Sequence, residues 1–259
     1  WRPAGGSLPR PTGADIVAQM SLRTVVLFGG TSTERRVSVA SAMNIALAIE
    51  SPTLWFISPS GAVHDVRVEE LRAHPKPFEQ DFIPASTAKH LDLDAALDSA
   101  LEGDVFFLAL HGGDGENGVT QHALERRGLA FTGSGSRASR AAFDKVRAKQ
   151  IVSEAGVRVV ASQVLHGADA VHGADTVHGA DTLHRREMEL RAVLAALLEE
   201  HGHVVVKPVA DGSSMGLHHL SVLGQLEGVV ASVMAARVPY LAEPFVAGTE
   251  LTVGVVTEA

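Results

Sequence analysis

The sequence predicts an α/β protein that opens with a doubly wound parallel sheet. Two observations carry this. The apolar runs 24–28 and 105–110 each end in a glycine-rich polar turn, as buried parallel strands do at their carboxyl ends. After the first run, Val39, Met43, Ala46 and Ile49 fall at helical spacing, so strand, glycine turn and helix form the first unit of such a sheet.

The remaining elements follow in order. Residues 54–57 read as an edge or second strand, and the strand 105–110 runs into a polar turn over 111–118. One helix is expected over 139–155. A second, over 187–200, carries an apolar stripe of Leu190, Val193, Leu194 and Leu197, and Gly202 supplies its stop. Strand 203–207 comes next, closed by Pro208, then a small-residue loop over 211–216. Runs 240–246 and 250–256 read as a strand pair joined through residues 247–249.

Composition removes several classes of function. The 259 residues are 46% hydrophobic and 20% charged, a globular balance. With 22 basic against 30 acidic residues the formal charge is -8, and no basic stripe appears, so nucleic acid is not an expected partner. A few local lysines and backbone amides still suffice to hold nucleotide phosphates. The absence of cysteine removes disulfides, zinc–thiolate sites and thiol nucleophiles. No apolar run approaches the roughly 18 residues of a membrane span, and residues 1–21, rich in Pro and Gly, read as a flexible extension without a signal-peptide core. A cytoplasmic protein without a membrane partner is the expectation.

A tract over 165–184 contains three copies of a six-residue unit, at 165–170, 171–176 and 177–182. Hexapeptide repeats build β-helices only over several coils, and three copies make about one. Its His and Asp residues could bind metal; a tandem expansion in a surface connection is the preferred reading.

Three constellations could carry chemistry. No GxxxxGK[ST] sequence occurs, which excludes a P-loop. Gly133-Ser134-Gly135-Ser136-Arg137-Ala138 matches a GxGxxA dinucleotide fingerprint, with Glu154 downstream, but it follows a very short apolar run in mid-chain instead of the opening strand. The loop Asp211-Gly212-Ser213-Ser214-Met215-Gly216 follows a strand bearing Lys207, so backbone N–H groups and a lysine could meet anionic oxygens there. An ordinary solvated hairpin fits those residues equally well. Finally, Glu34, His111 and Glu116 fall at or just after the carboxyl ends of predicted strands, the edge where open α/β sheets bind ligands. A carboxylate there can hold an ammonium, and a histidine can hydrogen-bond a carboxylate.

Five blocks in order resemble the D-alanine–D-alanine ligase family. They are Gly29-Gly30-Thr31-Ser32-Thr33-Glu34 with Val37-Ser38; Leu110-His111-Gly112 through Gly118-Val119-Thr120-Gln121 with Leu124-Glu125; Phe131-Thr132-Gly133-Ser134-Gly135 with Ala138-Ser139, Asp144-Lys145 and Lys149; Val206-Lys207-Pro208 with Gly212-Ser213-Ser214-Met215-Gly216; and Glu243 with Gly248-Thr249-Glu250-Leu251-Thr252-Val253. The order reassigns the GxGxxA match to an interdomain turn.

This resemblance implies an N-terminal substrate-binding α/β domain over 22–134 and an incomplete ATP-grasp α+β domain. The latter's central subdomain would span 135–247, with 248–259 starting a truncated last subdomain. It implies ATP and D-alanine as substrates. Lys145 and Lys207 would contact the ATP phosphates, with Ser213 and Ser214 closing over them. Glu243 would border the adenine and Glu250 would take the ribose hydroxyls. Glu34 would hold the ammonium of the first D-alanine, beside Val37 and Ser38, and His111 and Ser213 would help place it; Glu116 would orient Ser213. Phosphorylation of D-alanine would give an acyl phosphate, which the amine of a second D-alanine attacks.

The chain departs from the family in having Asn117 after Glu116, in its repeat tract and in stopping at Ala259. Family members continue into a part that carries the Mg2+ or Mn2+ ligands, so no metal ligand is assigned and little turnover is expected of this polypeptide. A ligase joining D-alanine to D-lactate or making other dipeptides, and a non-catalytic nucleotide-binding remnant, stay open as alternatives. A homodimer is a family expectation.

Overall fold

The computed structural model describes residues 22–168 and 180–254, and the chain divides into two compact units between Arg140 and Ala141. The expected extension over 1–21, most of the repeat tract and residues 255–256 of the last expected strand lie outside the described residues.

Unit 1 is built on a five-stranded sheet of order β3-β2-β1-β4-β5. Its strands are β1 (Arg23–Gly29), β2 (Thr53–Ile57), β3 (Val63–Val66), β4 (Asp104–Leu108) and β5 (Ala130–Phe131). All neighbours are parallel except β2 and β3, and β1 is buried on both faces from Val25 to Gly29, as its unbroken apolar run requires. β2 is interior to the sheet: residues 58–62 turn the chain back, closed by Ser58 N–H to Ala62 O at 2.8 Å, and β3 becomes the edge.

Helices cover both faces. On one, α1 (Arg35–Ala48) lays Val39, Ala42 and Ala46 against Val26, Phe28, Leu54 and Phe56. On the other, Ala96 and Leu97 of α3 (Leu93–Leu97) and Ala123 and Leu124 of α4 (Val119–Glu125) join Val25, Leu27, Trp55 and Phe106; a short α2 (Val68–Arg72) adds Leu71 to the first face. The doubly wound expectation therefore holds. β1 leads through α1 to β2 on one side, while β4 lies on its other side. The carboxyl ends of β1 and β4 thus flank the topological switch point, where such sheets bind ligands. At the opposite end Arg23 makes two hydrogen bonds, each 2.6 Å, to Asp104, whose side chain is 1% exposed.

The single helix expected over 139–155 is two, α5 (Ser136–Phe143) and α6 (Lys145–Glu154). Asp144 leaves helical geometry and its carboxylate caps α6, accepting from the N–H groups of Val146 and Arg147 at 2.9 and 3.0 Å.

Unit 2 carries an antiparallel sheet of order β6-β9-β7-β8, made of β6 (Gln163–Leu165), β7 (Val204–Pro208), β8 (His218–Leu220) and β9 (Tyr240–Pro244). Helices α7 (Ala180–His201) and α8 (Leu226–Ala235) bury Leu190, Leu194, Leu197, Val229 and Val233 against one face of it, on Val204, Val206, Leu220 and Ala242. Gly202 ends α7 with φ +70°, the left-handed turn that glycine adopts at no steric cost. The strand expected over 250–256 does not form within its described residues: β9 already has β6 and β7 on its two sides, so 250–254 cannot pair with it, and Leu251 is 86% exposed.

Leu194 is wholly buried in this core. Leu194→Ala is expected to destabilise unit 2 by about 3 kcal/mol through lost transfer energy and a residual cavity, read as a lower urea midpoint by circular dichroism.

Candidate functional site

In unit 1 the expected substrate residues gather at the switch point. Glu34 precedes α1 and is 7% exposed. Against its carboxyl lies Gly112, at φ +66°, where a built Cβ would collide with Glu34 Oε2. Only glycine allows that backbone to pass so close. Ser32 Oγ donates to His111 O at 2.6 Å and accepts from the Glu34 N–H at 3.2 Å, tying the exit of β4 to the start of α1. The His111 ring sits between Ser41 Oγ, 2.8 Å from Nε2, and Glu116 Oε1, 3.9 Å from Nδ1. Gln121 pins the intervening loop by donating to Gly115 O at 2.7 Å. A cavity of about 300 Å³ opens beside this strap, lined by Gly30, Ser32, Ile57, Leu93, Leu110 and His111 among others.

Ser38, expected next to substrate, is fully buried and bonded to backbone on both sides. It donates to Ala109 O at 2.7 Å and accepts from Gly29 N–H at 2.8 Å. Its hydroxyl is consumed in joining α1 to β1 and β4, so it serves the fold. Val37 lies one residue before it, half-buried on α1.

In unit 2 the phosphate candidates converge on the sheet face turned away from α7 and α8. Glu243 of β9 lies opposite Val205, and its carboxylate, 14% exposed, is shared by two lysines. Lys207 of β7 takes Oε1, and Lys149 of α6 takes Oε2 at 2.6 Å. Burial pushes the Glu243 carboxyl up, but hydrogen bonds and charge from Lys149 and Lys207 outweigh it and hold it below the ordinary glutamate value. Lys145 completes the cluster. Its ammonium donates to Asp211 O at 2.7 Å, at the head of the 211–216 loop. Desolvation, then the neighbouring Lys207 charge, lowers its pKa. The loop is a turn in which Ser213 and Ser214 both take left-handed geometry, φ 46° and 56°, uncommon for residues with a Cβ. Glu250 is exposed, six residues beyond the end of β9.

Lys145, Lys207, Glu243 and the head of the loop are thus together in unit 2, while Glu34 and His111 are together in unit 1. Sequence reasoning missed Ser41 and the place of Lys149. Ser41 carried a usable signal, since it lies three residues after Ser38 and shares its helical face. Glu116, expected to orient Ser213, faces His111 within unit 1. Among the described residues, no group of three His, Asp or Glu side chains is placed to hold a metal ion, and no helix is long and apolar enough to cross a membrane.

A doubly wound N-terminal unit followed by a unit built on an antiparallel sheet is the fold that the comparisons find in D-alanine–D-alanine ligase structures. Residues 23–134 match the family model for the D-ala D-ala ligase N-terminus. The D-alanine–D-alanine ligase of Moorella thermoacetica is 29% identical over 90% of this chain and 62% of its own length, and that of Desulforudis audaxviator is 32% identical over 91% and 61%. The Coxiella burnetii D-alanine–D-alanine ligase structure superposes with a TM-score of 0.64 at 25% identity, over 88% of this chain and 65% of that one. The VanG D-Ala:D-Ser ligase of Enterococcus faecalis shares the fold with a TM-score of 0.60 at 23% identity, over 87% and 63%. Residues 23–134 are thus similar to the D-alanine–D-alanine ligase N-terminus, and the chain is similar to D-alanine–D-alanine ligases over about nine-tenths of its length. It spans about 60% of the length of these curated relatives.

Because the Glu243 pKa is lowered in the folded state, the stability it contributes is complete above the unfolded value of about 4.3 and is lost as pH falls through the folded value. Glu243→Gln is expected to remove about 3 kcal/mol at pH 7, since two half-buried lysines lose their counter-charge. It should also flatten the acid limb below pH 4.3. Urea unfolding from pH 7 to pH 2 measures both.

Proposed function

We propose that this chain provides the D-alanine and nucleotide sites of an ATP-dependent ligase that joins two D-alanines for peptidoglycan precursor synthesis in the cytoplasm. The observation that supports it most is the unit 2 cluster, in which Lys145 donates to Asp211 O at the head of the 211–216 turn and Lys207 pairs with Glu243 on the same sheet face. Burial first, and the Lys207 charge second, lower the Lys145 pKa, so a polyanion arriving between these cations would favour their charged forms.

The chemistry follows from the poor reactivity of a carboxylate as acyl donor. Transfer of the γ-phosphoryl group of ATP to the D-alanine carboxylate makes an acyl phosphate with a good leaving group, and the amine of the second D-alanine displaces phosphate from it. Positive charge on Lys145 and Lys207 offsets the charge of the transferred group. The Ser213–Ser214 turn closes over the phosphates and keeps water from the acyl phosphate. Glu243 and the residues after it border the adenine, and Glu250 takes the ribose hydroxyls. Glu34 holds the ammonium of the first D-alanine and His111 donates to its carboxylate. Mg2+ or Mn2+ would accompany ATP and supply further neutralisation. The protein would act as a homodimer.

Calorimetry is expected to show ATP binding to the chain, weakened about tenfold to a hundredfold in Lys207→Met by loss of charge-assisted hydrogen bonds. Equal affinity in the variant would refute the phosphate assignment. D-Alanine binding, followed by histidine resonances, should weaken at least tenfold in Glu34→Gln and be absent with L-alanine. A response to both enantiomers, or none to either, would remove the substrate assignment.

A further inference from the structure

Three serines near the start of α1 hold the segment that leaves β4. Ser38 Oγ donates to Ala109 O and Ser32 Oγ to His111 O, at 2.7 and 2.6 Å. The third, Ser41, lies on the helical face of Ser38, and its hydroxyl meets the His111 ring, 2.8 Å from Nε2. A serine inside a helix ordinarily turns its hydroxyl back to the carbonyl four residues earlier; Ser41 reaches across to a loop residue.

The other ring nitrogen decides the direction of that hydrogen bond. Nδ1 faces Glu116 Oε1 at 3.9 Å. An ionised carboxylate has no proton to give and favours an N–H dipole pointed towards it, so the single proton of the neutral ring belongs on Nδ1. Nε2 then carries a lone pair, and the Ser41 hydroxyl is the donor. The geometry points to Ser41 as a positioning residue that fixes His111 in its Nδ1–H tautomer, leaving the ring's one N–H directed away from Ser41, towards Glu116 and any anionic oxygen that enters between them. Without Ser41 the ring can rotate or take the other tautomer, and the donor is no longer aimed. The proposal deepens the reading of His111 as a contact of the D-alanine carboxylate and rests on it.

Long-range proton–nitrogen spectra of the full chain, labelled with nitrogen-15 in histidine, test this at a pH where the ring is neutral. The chain has 13 histidines, so His111→Asn identifies the resonance by its loss. His111 is expected to show the Nδ1–H pattern. Ser41→Ala should give a mixture of tautomers with the other histidine signals unmoved, and Ser41→Thr, which keeps a hydroxyl, should restore the single form. An Nε2–H ring in the parent chain overturns the proposal without reference to any variant, and so does an unchanged pattern in Ser41→Ala. D-Alanine should shift the His111 signal, with about fivefold weaker affinity in Ser41→Ala, the effect of one misaimed neutral hydrogen bond. If the tautomer behaves as expected while D-alanine leaves the ring unmoved, the Ser41 assignment stands and the substrate reading falls.

Discussion

The half-buried carboxylate of Glu243, divided between Lys149 and Lys207, is the interaction around which unit 2 is arranged. It joins α6, β7 and β9 on the sheet face opposite the one that α7 and α8 bury. Without either lysine the carboxylate would be an uncompensated half-buried charge, at a cost of several kcal/mol, and two lysines without it would repel each other. Because Lys149 takes Oε2 and Lys207 takes Oε1, Glu243 would keep one counter-charge if Lys207 turned to a phosphate as proposed.

Unit 1 meets a different demand, the exit of a buried parallel strand into a loop that must be held without a ladder. Backbone groups leaving β4 need partners, and the serines of the Gly30–Ser41 segment supply them at Ala109 and His111. Gly112 lets the strap pass against the Glu34 carboxyl. Fold and site therefore share atoms here. Ser38 sits in the same motif as Glu34, yet its hydroxyl is spent entirely on backbone. A motif residue need not touch substrate to matter for the site.

The strands of unit 1 were legible because burial on both faces leaves unbroken apolar runs at β1, β2 and β4, and glycine turns mark their ends. β3 and α2 to α4 were not legible, since each is only four to seven residues long and, except for α4 with four, carries one or two buried side chains. The break at Asp144 was misread because apolar periodicity continues across it, while the cap that divides the helix is one side chain. The last expected strand failed for a reason outside its own residues: both sides of β9 were already taken. In the site, residue types at strand ends indicated Glu34, His111 and Lys207, whereas Lys145, at the start of a helix, was indicated by the family resemblance. The pairing of Lys149 with Glu243 joins positions 94 residues apart, which no local pattern encodes.

The described ends of the repeat tract are anchored in unit 2. Before the tract, β6 stays paired to β9 and Leu165 remains 4% exposed. Ala168 N–H then reaches Met234 O on α8 at 3.1 Å. After it, Arg186 of α7 donates to Gly167 O at 3.0 Å. The two ends of the insertion are therefore fastened to each other. Residues 181 and 182 of the last copy are already helical and belong to α7, whereas a β-helix coil would require them extended. Residues 181 and 182 thus open a helix whose packed stripe starts later, at Leu190. Among the described residues, the side-chain hydrogen bonds of Lys145, Lys149, Lys207 and Glu243 run to one another and to Asp211, so the described ends of the tract take no part in the phosphate candidates.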